Sequence, residues 1–320
     1  MDNLAHSLAG MALAQAGLRH KTGLATAALV LAANLPDVDA LGLLFGENLA
    51  WRRGWTHGPV AMLILPPVLV AGLVLFDRWQ TRRCTRPADR PPLHRGWLMA
   101  LAYIGWFTHP LLDFMNTYGI RLLMPFSQRW YYGDVLFIID VWLWFALGAG
   151  LWLSRRRGGP AASEARPAKV GLAVAVVYMA AVGASSVAAE RIAWRAAEAR
   201  GLGPVRTVVA SPVAVNPFRR RIVFATGQAY GFGQVNWLAR VRLTLEPRLI
   251  PANMDDPAVA EARKTKAARD FLYWSRLPFA RIERTADRTR VILADARYAD
   301  GGATGAFVET VDLAPALAGQ

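Results

Sequence analysis

Residues 60–76 form a run without a single charge, interrupted only by Pro66 and Pro67. A helix of that length approaches the thickness of a bilayer's hydrocarbon core, where backbone polar groups must be satisfied within the segment. No other feature narrows the fold as much, and similar apolar stretches recur at 4–18, 24–35, 97–115, 135–153 and 170–187. The pattern predicts a mostly α membrane domain of about five to six apolar helices over residues 1–190. The first two stretches are short for an upright crossing and read equally well as a buried helical hairpin.

A chain that is 54% hydrophobic yet 19% charged fits a membrane part followed by a water-facing part. The formal net charge of +14 raises nucleic acid as a partner, but the basic residues cluster beside apolar runs, as topology signals do. No nucleic-acid partner is therefore expected; the lipid bilayer is. Loop 78–95 holds six Lys/Arg and 154–169 holds five, against two each in 40–57 and 116–134, so the first pair faces the cytoplasm. By alternation the N-terminus and everything after about Ala188 lie outside. Residues 201–320 change to short β-like runs at 205–215, 221–229, 235–245, 289–296 and 306–313, with one amphipathic helix over 258–274. This predicts a small α+β or mostly β extracytoplasmic domain.

Cys84 is the only cysteine, so any metal must be held by nitrogen and oxygen. Of five histidines, His20 and His94 sit among basic residues and read as solvated. His6, His57 and His109 instead lie in apolar surroundings, and with Asp37, Asp39 and Asp113 they fall on the same predicted outer face. On a helix, His109 and Asp113 share one side at i and i+4, within reach of one ion. Each residue also has a plainer role: the aspartates after Pro36 suit turn caps, His57 can begin a span, and Arg53 can touch a headgroup. Asp134 lies on the same face, and Asp140, inside an expected span, is a weaker candidate for pairing or a polar cavity. Three imidazoles with three carboxylates and no thiols suit a divalent ion: zinc first, with manganese or magnesium as alternatives, and one or two ions in all.

The order of motifs is a histidine near the N-terminus, Pro36-Asp37-Val38-Asp39, Arg53-Gly54-Trp55-Thr56-His57-Gly58, then His109-Pro110-Leu111-Leu112-Asp113. Over roughly residues 1–145 it resembles the bacterial inner-membrane YdjM-like family, described as membrane-bound metal-dependent hydrolases. Weaker likeness continues at 212–218 and 273–276. That family is in turn distantly similar to zinc-dependent phospholipase C and the single-strand-specific zinc nucleases. The resemblance implies that Asp37, His57, His109 and Asp113 hold one ion, with Asp113 bridging to a second that involves His6 and Asp39. The relatives' further two His and a Glu have no match here beyond Asp134 and Asp140. The implied activity is hydrolysis of a phosphoester in a lipid or lipid-linked substrate by metal-activated water, with Asp39 and Arg53 as the catalytic helpers and Arg53 stabilising phosphoryl charge. The implied location is the bacterial inner membrane, with several passes. Competing expectations are an ion-coupled transporter and a membrane scaffold with a structural metal.

Overall fold

The computed structural model describes residues 1–45, 51–156, 161–201, 203–299 and 307–313, in two units, Met1–Gly183 and Ala184–Gln320. Residues 46–50 of the expected loop 40–57 and residues 157–160 of the expected loop 154–169 lie outside the described residues, as does residue 306 of an expected strand.

The first unit is helical: α1 (Asn3–Gln15), α2 (Ala25–Asn34), a 3-10 segment Leu35–Phe45, a 3-10 turn Trp55–His57, α3 (Pro59–Arg82), α4 (Arg95–Phe114), α5 (Val141–Arg156) and the start of α6 (Ala161–Ala199). Asp2 caps α1 by accepting from the Leu4 and Ala5 N–H groups, and Pro59 opens α3 where its missing donor costs nothing. The expectation of five or six membrane helices is corrected. Among the described residues only Pro59–Arg82 and Ser163–Ala199 combine the length and apolar composition needed to cross a bilayer. With 13 and 10 residues, α1 and α2 reach only about 20 and 15 Å at 1.5 Å per residue, against a core of about 30 Å. Helix α5 has 16 residues, and α4 is bounded by Arg95 at one end and by His109 and Asp113 at the other.

Asp140 is not inside a span either. It is the residue before α5, accepting from the Trp142 and Leu143 N–H groups at 3.1 and 3.0 Å and from the Tyr178 hydroxyl at 3.0 Å, so an N-cap explains its burial. At the other boundary, α3 runs on through Arg78 to Arg82, so the polar loop expected from 78 begins later.

Helix α2 is the centre of this unit. Its Ala28, Leu29 and Ala32 pack with Leu98, Leu101, Ala102 and Trp106 of α4 and with Val70 and Leu73 of α3. The α2–α4 approach is backbone to backbone: a Cβ on Gly105 would stand 2.5 Å from the Leu29 carbonyl oxygen. That closeness is what brings the C-terminal end of α2 against His109.

The second unit contains two antiparallel sheets. The first has the order β1 (Val205–Pro212), β2 (Arg219–Thr226), β3 (Ala229–Asn236), β4 (Leu243–Pro251); the second has β5 (Pro278–Arg284), β6 (Thr289–Asp295), β7 (Val308–Leu313). Period-two alternation sorts the first sheet's side chains. Val208, Ala210, Ile222 and Phe224 face Ala189, Ala193 and Ala197 of α6, while Val209, Val223 and Phe232 face Leu277, Phe279 and Ala294. Two expectations change here. Residues 235–245 are the end of one strand and the start of the next, and the helix over 258–274 is two helices, α7 (Pro257–Ala262) and α8 (Lys266–Trp274). Thr265 starts α8 by accepting from the Ala268 N–H at 3.3 Å. Strand β5 has no counterpart among the expected runs, and β3 is met only at its two ends, by residue 229 and residues 235–236.

Candidate metal centre

Four side chains from three segments converge: Asp37 from the 3-10 segment after α2, His57 from the turn before α3, and His109 and Asp113 one turn apart on α4. One donor atom from each lies within 4.8 Å of every other, so the group could hold a metal ion. His57, His109 and Asp113 are buried, and the Asp37 side chain is only 8% exposed. His57 Nε2 is 3.1 Å from His109 Nε2 and 3.4 Å from Asp113 Oδ2; His109 Nε2 is 3.6 Å from Asp113 Oδ2 and 3.7 Å from Asp37 Oδ1.

The protons of the two imidazoles are assigned by their other nitrogens. His109 Nδ1 is 2.7 Å from the Ala33 carbonyl, which can only accept, so Nδ1 carries the hydrogen and Nε2 a lone pair. Thr56 Oγ1 donates to Asp39 Oδ2 at 3.2 Å and accepts from His57 Nδ1 at 2.9 Å, which leaves His57 Nε2 bare as well. Burial keeps the His57 imidazole neutral, its pKa well below the usual value, and the neighbouring His109 and Arg53 act the same way. The two Nε2 lone pairs therefore face one another across 3.1 Å with no proton between them, a contact that a cation held there would relieve, and carboxylate oxygens of Asp37 and Asp113 stand beside them. The spacing suits one: bonds of about 2.0–2.1 Å in a tetrahedron give ligand separations of about 3.3–3.4 Å.

His6, on α1, stacks on His109 with ring centroids 3.8 Å apart, and its Nε2 is 3.4 Å from Asp113 Oδ1, the oxygen that also receives the Met1 amino group. Neither His6 ring nitrogen makes a hydrogen bond. Asp39 lies behind His57, on the Nδ1 side. Its Oδ2 accepts the Arg53 N–H at 2.7 Å, and burial pushes its carboxyl up to about 6 against that hydrogen bond. Arg53 is buried too, in the left-handed region at φ 54°. Its Nε is 2.9 Å from Asp113 Oδ2, its Nη1 donates to Asn116 Oδ1 at 2.8 Å and to the Gly119 carbonyl at 3.3 Å, and its guanidinium covers the Tyr118 ring. Gly58 ends the Arg-Gly-Trp-Thr-His-Gly motif because a Cβ there would lie 2.0 Å from the Met124 carbonyl oxygen. Asp134 is buried at φ 54° but is not among the four converging groups, and Asp140 caps α5.

Sequence reasoning overlooked Thr56, Asn116 and the Ala33 carbonyl. Thr56 was readable from its place beside His57; a main-chain carbonyl leaves no mark in a sequence. Because Thr56 is the link that orients His57, Thr56→Val is expected to weaken divalent-metal affinity about 10–100-fold while Thr56→Ser keeps it, measured by competition with a chromogenic chelator. Equal affinity in the two variants would remove the link from the site.

Beside His57 lies a cleft of about 350 Å³ whose walls include Met62, Trp106, Phe107, Leu111 and Phe114. Phe107 and Leu111 are about half exposed, so the cleft is apolar and open on the outer surfaces of α3 and α4.

Against known families, residues 1–191 match the family described as YdjM inner membrane protein. The match runs beyond the stretch over which the motifs alone suggested a resemblance and ends before the segments 212–218 and 273–276. No curated protein and no solved structure matches the chain.

Proposed function

The chain belongs to the YdjM inner membrane protein family, and we propose that its four converging ligands form the metal centre of a membrane-bound hydrolase acting on a phosphoester of a lipid or lipid-linked substrate. The observation that carries this reading is the proton-free contact between His57 Nε2 and His109 Nε2, backed by Asp37 and Asp113. Two imidazoles with two carboxylates suit zinc over magnesium, which prefers six oxygens. Asp113 Oδ1, which faces His6 Nε2, is taken by the Met1 amino group, so His6 serves by stacking on His109 and the reading is of a single ion. When bound, a divalent ion supplies water of near-neutral acidity, with a pKa of about 7 against roughly 15.7 in bulk.

The chain's own residues do the rest. Ala33 and the Thr56–Asp39 pair hold the two imidazoles with Nε2 facing inward. Arg53 fixes Asp113 and brings positive charge toward a phosphoryl group. The apolar cleft beside His57 gives acyl chains a lateral way in. Charge supports an outward-facing site: Arg82 ends α3 with Arg83 and Arg86 just after it, and Arg155 and Arg156 close α5 before Arg166 and Lys169 in the first turns of α6. Two passes of opposite sense put the His57 end of α3, and the chain beyond α6, outside the cytoplasm.

One observation favours a second reading. The ligands are almost fully enclosed, as in structural sites, where four protein groups complete the coordination. The test is hydrolysis of phosphodiester and phosphomonoester lipids by the reconstituted full chain. On the enzyme reading, chelation and Asp113→Asn each reduce turnover by more than about 100-fold with helical content unchanged. Loss of helical packing on chelation, or turnover untouched by Asp113→Asn, would replace the enzyme with a scaffold.

A further inference from the structure

We infer that the loops joining β1 to β2 and β3 to β4 form a membrane-seating patch, which dips into the headgroup region of a bilayer containing anionic lipid. In an antiparallel sheet of order β1-β2-β3-β4 these two connections, 213–218 and 237–242, emerge at the same end. The Trp237 N–H donates to the Phe218 carbonyl at 2.9 Å, joining them into one surface. At their tips Val215, Phe218, Leu238 and Val241 are 62, 49, 73 and 69% exposed, four large apolar side chains gathered at one end of the sheet. Exposed Arg219, Arg240 and Arg242 flank it.

The partner is identified by what the same end of the sheet touches. The Trp237 indole donates to Ser185 Oγ of α6 at 2.7 Å. Ser185 lies near the end of the stretch 170–189, twenty residues without a charge and about enough to cross a bilayer, which closes at Glu190 and Arg191. Five residues short of Glu190, Ser185 sits about 7 Å within that boundary at 1.5 Å per residue. Trp237 therefore stands at the depth where tryptophan anchors proteins to the interface. The loops around it share that level, with apolar tips for the acyl boundary and arginines for anionic headgroups. This patch lies beyond the segment matched to the family and does not depend on the metal centre.

The test uses the full chain in vesicles of phosphatidylcholine mixed with phosphatidylglycerol. With Cys84→Ser removing the exposed native thiol, an environment-sensitive fluorophore is placed at Leu238→Cys, at Val241→Cys, and at Gln228→Cys in the turn at the opposite end of the sheet. Labels at 238 and 241 should be quenched by doxyl-bearing lipid and shielded from iodide, and the label at 228 should behave in reverse. Reversing Arg240 and Arg242 to glutamate should weaken the lipid quenching by about fivefold per residue, and only where phosphatidylglycerol is present. Equal iodide access at all three positions overturns the inference. So does shielding of 238 and 241 from both quenchers, which would mean that protein covers the patch.

Discussion

Purified His109→Ala protein is expected to retain less than about one hundredth of the parent's affinity for a divalent ion, read by elemental analysis after dialysis against graded metal buffers. Losing an outer partner of a ligand already costs about 10–100-fold, and here the ligand itself goes. The effect is large because His109 is in contact with everything at the centre. Its Nε2 is within 3.7 Å of His57, Asp37 and Asp113, its ring supports His6, and its Nδ1 ties α4 to the end of α2. His94→Ala, at the opposite end of α4 where the ring merely caps the Trp97 N–H, should leave metal content at the parent level. If the parent and His109→Ala bind equally, or if neither binds, the four groups are a buried polar cluster and the hydrolase reading fails with them.

The converging groups were legible because their chemistry is written in residue type. Histidine and aspartate inside apolar surroundings are costly wherever they fall, and their spacing on α4 puts two of them on one face without further information. What hydropathy could not supply is length and context. The apolar runs at 4–18 and 24–35 look like membrane material, yet they fold as short helices with one face buried by protein, Leu29 and Ala32 being wholly enclosed in the core with α4 and α3. Asp140 looked like a charge within a span because the run of apolar residues continues on both sides of it. Only the N–H groups of Trp142 and Leu143 show that the helix begins there. In the second unit, residues 235–245 keep a strand-like composition through a hairpin. The reversal is set by the Leu238 N–H donating to Asn236 Oδ1 and the Ala239 N–H donating to the Asn236 carbonyl, which composition does not encode.

The largest stability effect is expected at Asp295, at the end of β6, and it lies wholly in the second unit. Its oxygens accept from Ser275 Oγ at 2.6 Å, the Arg276 N–H at 2.8 Å and the Leu277 N–H at 3.3 Å, and they receive the Arg297 Nε at 2.9 Å, with the guanidinium lying over Trp274. Burial alone pushes this carboxyl up, but the Arg297 guanidinium and these hydrogen bonds hold it at about 2 against the ordinary 3.8. A folded-state pKa below the unfolded one adds stability that is present above 3.8 and is lost as pH falls through about 2. Asp295→Ala removes the carboxylate from a buried ion pair with Arg297, which costs about 3–5 kcal/mol. Hydrogen exchange of the β5–β7 amides in the full chain should therefore accelerate strongly at neutral pH. Between pH 5 and 2 the parent should lose protection in this sheet faster than Asp295→Asn, which has no carboxylate left to protonate. Protection at neutral pH within about 0.5 kcal/mol of the parent, the scale of an ordinary surface change, would show that Asp295 does not hold α8 and the second sheet together.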